Sequence, residues 1–147
     1  MRQLVLGALG ALVLAPAASA HTDALPQIEL AWPARGTITT PFGPTHPGID
    51  IGILRSLAVR AADRGVVVRA GFPPGYEGYG RLVEVDVGEG WSNLYAHLAA
   101  ARVRAGDQVE AGQLLGIAGC TGWCTGTHLH FELRRSGAAV DPMTLLG

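Results

Sequence analysis

The sequence contains no lysine, so all 11 of its basic residues are arginines. They are set against 12 acidic residues, which gives a formal net charge of −1. The arginines form no long basic run, whereas a protein that binds nucleic acid concentrates positive charge on one surface. We therefore expect no nucleic-acid partner.

The missing lysine also excludes one class of small β-domain. Residues Arg104 to Gln113 predict a turn, a short strand and a second turn, a pattern that also occurs in domains that carry lipoate or biotin. Those domains attach their cofactor to a lysine, and this chain has none to modify. A carrier function is therefore excluded.

Apart from one stretch near its start, the sequence lacks long hydrophobic runs. Arg2 precedes an apolar run from Leu4 to Ala17, and Ala18-Ser19-Ala20 has the small residues of a cleavage site. This arrangement predicts a signal peptide over residues 1–20. The run is too short to span a bilayer comfortably, so we expect no stable membrane insertion after cleavage. The protein should be exported, to the periplasm or to the extracellular medium.

Cysteine is scarce, with only Cys120 and Cys124 present. Neither lies near the predicted cleavage site, so we expect no lipid-attached start. In an oxidising compartment two cysteines four positions apart can keep a disulfide. The alternatives are two free thiols, or two thiolates that join a metal site.

Long helical periodicity is missing after residue 20, and the pattern is all-β. Short runs rich in valine, isoleucine and leucine are bounded by glycine, of which the chain has 21. Such runs predict strands, here Thr37–Thr40, Leu57–Ala61, Gly65–Ala70, Leu82–Val87, Trp91–Leu98, Leu114–Ala118 and His128–Arg134. Asp141 followed by Pro142 predicts one short helical turn near the C-terminus. Residues 21–35, with two prolines, predict an N-terminal arm lying across the domain.

Two histidines lie close together in the last of these strands. On a strand, His128, His130 and Glu132 share one face, because side chains alternate between faces. Paired imidazoles on one face can hold or flank a metal ion. The opposite face would be apolar and suits a core: Leu129, Phe131 and Leu133. A pair of this kind that stands alone more often belongs to a solvated polar face.

A second motif combines His46 with Asp50. Pro47 and Gly48 between them disfavour a helix, so we expect a turn that leads into a strand, with the two side chains converging. Imidazole nitrogen and carboxylate oxygen are both good zinc ligands. Spacing of this kind is weak evidence when it stands alone.

The third motif surrounds His97. On a strand, Asn93, Tyr95 and His97 would share a face, opposite Leu94 and Leu98. Asn93 and Tyr95 would then either support a metal site or simply belong to the core. With this motif, all four histidines that follow His21 fall within three short segments, and a carboxylate accompanies them. That concentration favours a metal site.

Taken in order, these motifs resemble the M23 family of zinc metallopeptidases, the lysostaphin or LytM type. The resemblance runs from about Gly36 to Pro142, within a domain that we place at residues 36–147. It rests on Pro41-Phe42-Gly43, His46-Pro47-Gly48-Ile49-Asp50, Tyr95-Ala96-His97-Leu98, Gly106-Asp107 with Gly112-Gln113, and Thr125-Gly126-Thr127-His128-Leu129-His130-Phe131-Glu132. It implies an antiparallel β-sheet or sandwich with an open metal-binding groove, and peptidoglycan as the usual substrate.

Carried over residue by residue, the resemblance implies that His46, Asp50 and His130 bind one Zn²⁺ per chain. Three protein ligands leave a fourth position for water, as a catalytic zinc requires. His97 and His128 match the two histidines of the family that are not ligands. One would act as general acid and base and the other would bind the developing oxyanion, in an order that the sequence leaves open. Our hypothesis for the cysteines is a disulfide loop that rigidifies one wall of the groove.

The expected function is that of a zinc endopeptidase that cleaves peptide bonds in peptidoglycan stems or cross-links through a zinc-activated water. The main alternative is a metal-binding LytM-type module that regulates cell-wall amidases without cleaving, which would imply a regulatory protein partner. A purely structural metal domain is a third reading. The complete set of five functional residues favours the enzyme, because relatives that only regulate have lost ligands.

Overall fold

The computed structural model describes residues 29–147. The signal peptide predicted for residues 1–20, and the predicted arm up to residue 28, lie outside the described residues. Within the described range the chain forms eleven strands: β1 (Thr37–Thr40), β2 (Ile49–Gly52), β3 (Ala58–Arg60), β4 (Gly65–Gly71), β5 (Leu82–Gly88), β6 (Trp91–Ala96), β7 (Leu98–Ala101), β8 (Gln108–Val109), β9 (Leu114–Ala118), β10 (Leu129–Arg135) and β11 (Ala138–Val140). Single 3₁₀ turns occupy Glu77–Tyr79 and Pro142–Thr144.

The strands form two antiparallel sheets. The larger has eight strands in the order β1-β2-β10-β6-β5-β4-β8, with β11 paired to β10. The smaller has three strands in the order β3-β9-β7. This architecture confirms the all-β antiparallel fold expected from the sequence. No helix in the described part of the chain is both long and apolar enough to cross a membrane.

The hydrophobic core lies between the two sheets. Ile49, Tyr95 and Phe131 reach it from the larger sheet, and Val59 and Leu115 reach it from the smaller. All five side chains are fully buried. Side chains alternate along each strand, so the strands of the larger sheet place a second set of side chains on its outer face.

Most predicted strands are found, with two differences. The predicted strand Trp91–Leu98 divides into β6 and β7 at His97, whose φ of +61° interrupts the extended backbone. Strand β11 was not predicted, because its three residues follow a tight turn and are mostly exposed. The predicted C-terminal turn is confirmed, and Asp141 caps it by accepting a hydrogen bond from the Met143 N–H at 3.0 Å.

Strand β10 occupies the position that organises the sheet. It pairs with β2 on one side and with β6 on the other, so it lies between the strand that carries Asp50 and the strand that ends before His97. Asp50 and His130, which are 80 residues apart in the sequence, therefore meet at the start of β10.

Candidate metal centre

The register between β2 and β10 brings two of the predicted zinc ligands together. His130 and Asp50 are direct cross-strand partners, and the His130 Nδ1 lies 2.7 Å from the Asp50 Oδ1. The His46 Nε2 lies 3.2 Å from the same oxygen. One donor atom from each residue falls within 4.8 Å of the other two. These three side chains form a cluster that can hold a metal ion.

His46 is oriented by the turn that precedes β2. The backbone groups of Gly43 and His46 bond each other at 3.0 and 3.1 Å, which closes a tight turn through Pro44 and Thr45. The His46 Nδ1 donates to the Pro41 carbonyl at 3.0 Å. Because a carbonyl oxygen can only accept, the neutral ring carries its proton on Nδ1 and directs the unprotonated Nε2 towards Asp50. The convergence predicted across this turn is present.

His128 lies one residue before β10. Its backbone N–H donates to the Gly119 carbonyl at 3.3 Å, and its Nδ1 donates to the Gly126 carbonyl at 2.7 Å. The Nε2 is then the unprotonated nitrogen of the neutral ring, and it lies 3.7 Å from the Asp50 Oδ1. His128 therefore borders the cluster.

His97 reaches the same place by a different route. The expectation that it shares a face with Asn93 and Tyr95 is wrong: Tyr95 points into the core and donates nothing to the site, whereas His97 lies on the opposite face. The left-handed backbone at His97 breaks the alternation of the strand. Its Nδ1 donates to the Thr121 carbonyl at 2.7 Å, and its ring centre lies 4.7 Å from that of His128.

A buried carboxylate lies behind His130. The His130 Nε2 donates to the Glu132 Oε1 at 3.0 Å, and the Tyr79 hydroxyl donates to the same oxygen at 2.6 Å. The Arg134 Nε donates to the other carboxylate oxygen at 2.6 Å. Glu132 was placed on this face from the sequence, without a role. Its position two residues after His130 on a strand is the signal that could have suggested one.

The electrostatics of the cluster favour charged Asp50 and neutral His97. Burial by itself raises the pKa of Asp50, but the hydrogen bond from His130 and the nearby imidazoles outweigh it and lower the value to about 2. Burial lowers the pKa of His97, so the ring favours its neutral form. Burial also opposes the charged form of His130, yet Asp50 and Glu132 together raise its pKa to about 9 in the metal-free chain.

The cluster forms the floor of an open groove of about 660 Å³. Tyr76 and Tyr79 line one side, in the loop between β4 and β5. Both tyrosines also pack on the outer-face cluster of Leu82, Leu94 and Ala96, so they line the groove and anchor their loop to the sheet. Trp123, which is 85% exposed, stands on the rim.

The segment between Cys120 and Cys124 lies directly beside the loop that carries Tyr76 and Tyr79, since the Trp123 N–H donates to the Gly78 carbonyl at 2.9 Å. Cys120 and Cys124 are joined by a disulfide with their Cα atoms 5.3 Å apart. The alternatives of free thiols and of thiolate ligands are therefore excluded for this structure. The loop also supplies the Thr121 carbonyl that orients His97. Sequence analysis missed this contact, because a backbone carbonyl acceptor leaves no mark in residue type.

The donor set fits zinc. Two imidazoles and one carboxylate form a ligand combination used by catalytic zinc sites with an open fourth position. Each imidazole also donates its other N–H to an oxygen, His46 to the Pro41 carbonyl and His130 to Glu132, as metal-binding histidines do. Among the described residues, this is the one group of such side chains close enough together to hold an ion.

Comparison with curated proteins finds bacterial relatives, among them one named as a lipoprotein homolog and one named as a murein hydrolase activator. The chain is 42% identical over 119 residues to a Pseudomonas aeruginosa protein described as a lipoprotein NlpD/LppB homolog, covering 79% of this chain and 39% of that protein. It is 36% identical over 118 residues to the murein hydrolase activator NlpD of Escherichia coli, covering 78% of this chain and 30% of that protein. The chain thus spans well under half the length of these relatives.

Solved structures show the same fold. A putative peptidase M23 from Pseudomonas aeruginosa superposes with a TM-score of 0.73 at 33% identity, covering 80% of this chain and 50% of that one. The catalytic domain of the antimicrobial peptidase lysostaphin from Staphylococcus simulans gives a TM-score of 0.61 at 30% identity, covering 77% and 87%. Residues 44–142, which contain every residue of the cluster, match the family described as Peptidase family M23. The chain therefore belongs to peptidase family M23.

Proposed function

We propose that this protein is an exported zinc endopeptidase that hydrolyses peptide bonds in peptidoglycan stems or cross-links. One observation carries the proposal: a complete donor set and two further histidines converge at the floor of one open groove. We assign residues 36–147 to the catalytic domain and residues 1–20 to a signal peptide that directs export to the periplasm or the medium.

His46, Asp50 and His130 would hold one zinc ion. Their donor atoms already lie within 4.8 Å of one another, and strand pairing fixes two of the three residues. When bound, zinc lowers the pKa of a coordinated water towards about 7 and polarises the scissile carbonyl. The low pKa of Asp50 keeps its carboxylate negatively charged, which favours binding of the cation.

His97 and His128 would carry out the proton transfers. Each donates its Nδ1 proton to a backbone carbonyl, which leaves Nε2 able to accept a proton when the ring is neutral. One of them takes a proton from the attacking water at Nε2 and returns it to the leaving amine. The other, when it carries a second proton on Nε2, donates a hydrogen bond to the developing oxyanion.

A peptide is the substrate that suits the groove best. The groove is open to solvent rather than enclosed, so an extended chain can lie across the cluster. Tyr76 and Trp123 add aromatic surface to its lining. Peptidoglycan supplies such peptides, and the names of the relatives, a murein hydrolase activator and lysostaphin, support this substrate class.

The alternative is a module that regulates cell-wall amidases without cleaving. The match to the murein hydrolase activator NlpD favours it, and it would require a protein partner. The full donor set with both additional histidines argues for the enzyme, because a module that binds a metal without cleaving does not need two further histidines beside it that can carry protons. A purely structural metal site would instead make chelation lower stability with no peptide cut.

The test is a digest of purified peptidoglycan sacculi. The purified protein would be loaded with zinc and incubated with sacculi, and the released fragments would be identified by mass spectrometry. His128→Ala is the matched control, since it removes a proposed proton carrier and leaves the three proposed ligands in place. We expect new peptide ends with the wild type alone.

The outcomes separate the candidate functions. New peptide ends with the wild type establish the endopeptidase and identify the bond. No cleavage by a protein that binds zinc and sacculi overturns the enzyme proposal and favours the regulator, which an amidase-stimulation assay then tests. Fragments of equal yield with His128→Ala would overturn the role given to that residue.

A further inference from the structure

The four histidines of the site differ in the group that accepts their outward N–H. His46, His97 and His128 each donate Nδ1–H to a neutral backbone carbonyl, at 3.0, 2.7 and 2.7 Å. His130 instead donates Nε2–H to the carboxylate of Glu132, at 3.0 Å. A carboxylate acceptor makes the opposite ring nitrogen a stronger donor to a metal than a carbonyl acceptor does. His130 is thus the one histidine of these four whose outward N–H has a charged acceptor.

Glu132 is held firmly in that position. Its side chain has no solvent exposure, and both carboxylate oxygens have defined partners. Oε1 accepts from His130 and from the Tyr79 hydroxyl, whereas Oε2 accepts from the Arg134 Nε. A buried carboxylate is stable in its charged form only when it is paired and hydrogen-bonded in this way. Arg134 supplies the countercharge, so the oxygen that faces His130 remains an acceptor.

The ion pair continues away from the site. Arg134 also lies 3.9 Å from Glu84, which pairs with Arg69 and accepts from Ser92 at 3.2 Å. Glu84 is a second buried carboxylate on the outer face of the sheet, at 5% exposure. It contacts arginines, as Glu132 does, but among the described contacts it has none with a histidine. Glu84 is therefore a reference for a buried carboxylate that is ion-paired on this face without contacting the metal centre.

We infer that Glu132 is a positioning residue for the metal centre. Its Oε1 fixes His130 with the proton on Nε2 and the lone pair of Nδ1 directed towards Asp50 and His46, and its charge strengthens Nδ1 as a ligand. The affinity of the protein for zinc then depends on Glu132 although Glu132 does not belong to the ligand set. This inference rests on the proposed function only in taking His130 as a ligand.

The experiment compares Glu132→Gln with Glu84→Gln in the full protein. Both changes keep the size of the side chain and remove one buried charge next to Arg134. Zinc dissociation constants are measured by competition with a chelator at fixed pH, so the readout does not depend on activity. We expect zinc to bind about 10 to 100-fold more weakly to Glu132→Gln and within about threefold of the wild type to Glu84→Gln.

Three results would overturn the inference. One is unchanged zinc affinity in Glu132→Gln, and another is an equal loss in both variants, which would mark a structural role for the whole network. A wild type that fails to bind zinc would overturn the proposed metal site and this inference together. A wild type that binds zinc without cutting sacculi refutes only the enzyme, and the comparison of variants still decides the role of Glu132.

A measurement on the wild type covers the case in which Glu132→Gln does not fold. In the zinc-loaded protein labelled with ¹⁵N, NMR of the imidazoles reports which nitrogen carries each proton. We expect His130 to be protonated on Nε2 with slow solvent exchange, since that proton is donated to a buried carboxylate. A proton on Nδ1 of His130, or fast exchange at Nε2, contradicts the inference.

Discussion

The two faces of strand β10 are equally buried and chemically opposite. Leu129, Phe131 and Leu133 face the core at 0% exposure, while Glu132 at 0% and His130 at 5% face the other way. The apolar face is stabilised by removal of hydrocarbon from water. The polar face is stabilised only because each charge has a partner, as Glu132 has in Arg134. Burial alone therefore does not distinguish the part of a strand that folds the protein from the part that serves its site.

The largest expected effect separates two histidines of the polar face. His130→Ala removes a proposed ligand, and we expect zinc affinity to fall by more than about 100-fold, with activity lost. His128→Ala should keep zinc affinity within about threefold of the wild type and lower kcat about 100 to 10,000-fold, since only a proton carrier is removed. Zinc content and sacculus digestion measure the two quantities. Full activity of His128→Ala would contradict its assignment.

On the apolar face, Phe131→Ala should lower the free energy of unfolding by about 3 to 5 kcal/mol, because it leaves a cavity between the sheets. The zinc affinity of the folded fraction should stay near that of the wild type, since the side chain points away from the cluster. Denaturant unfolding and chelator competition measure the two effects. If Phe131→Ala had normal stability and weak zinc binding, the apolar face would serve the metal site rather than the fold, contrary to our assignment.

The disulfide loop supports the polar face from outside the strand. Replacing Cys120 and Cys124 by serine should lower the free energy of unfolding by about 2 kcal/mol, as expected for a short closed loop. It should also lower kcat with zinc affinity unchanged, because the loop orients His97 through the Thr121 carbonyl and holds none of the three clustered donors. Unchanged kcat would show that the loop does not position His97.

A mass measurement with and without reductant is the control for that prediction. If the bridge is intact, reduction increases the mass of the protein by that of two hydrogen atoms. If the mass does not change, the disulfide is absent in the purified protein. The serine variant then does not test the effect of the disulfide on stability or on kcat.

The smallest expected effect is a pH dependence that belongs to the polar face alone. In the metal-free chain, Asp50 and Glu132 raise the pKa of His130 to about 9 from an ordinary value of 6.5, against the effect of burial. The folded state therefore binds this proton more tightly, so the stabilisation is complete below pH 6.5 and is lost as pH rises through 9. We expect a decrease on the order of 1 kcal/mol across that interval.

Unfolding of the chelator-treated protein between pH 6 and 10 measures this effect, and two variants sharpen it. His130→Ala should remove the decrease, because the titrating group is gone. Leu133→Ala, on the apolar face of the same strand, should lower stability by a similar amount at every pH. A decrease that persists in His130→Ala would place its origin elsewhere.

Much of the fold could be predicted because short apolar strands bounded by glycine follow local rules. The alternation in β10 correctly separates Leu129, Phe131 and Leu133 from His130 and Glu132. The prediction failed at His97, where a single left-handed residue reverses the side of the sheet that receives the side chain. Nothing in residue type requires that conformation, since it follows from contacts with Tyr79 and Thr121, which lie distant in sequence.

The sequence by itself determined the chemistry available to this protein. Its few histidines and the aspartate beside them are local features, and the order of the motifs that contain them was sufficient to indicate the family. Only the tertiary structure decided how those groups are arranged. The pairing of β2 with β10 placed Asp50 opposite His130, and the packing of the disulfide loop gave His97 its acceptor. The physical reason is that a hydrogen bond or a metal site needs atoms within a few ångströms, and that proximity is created by strand register rather than by sequence spacing.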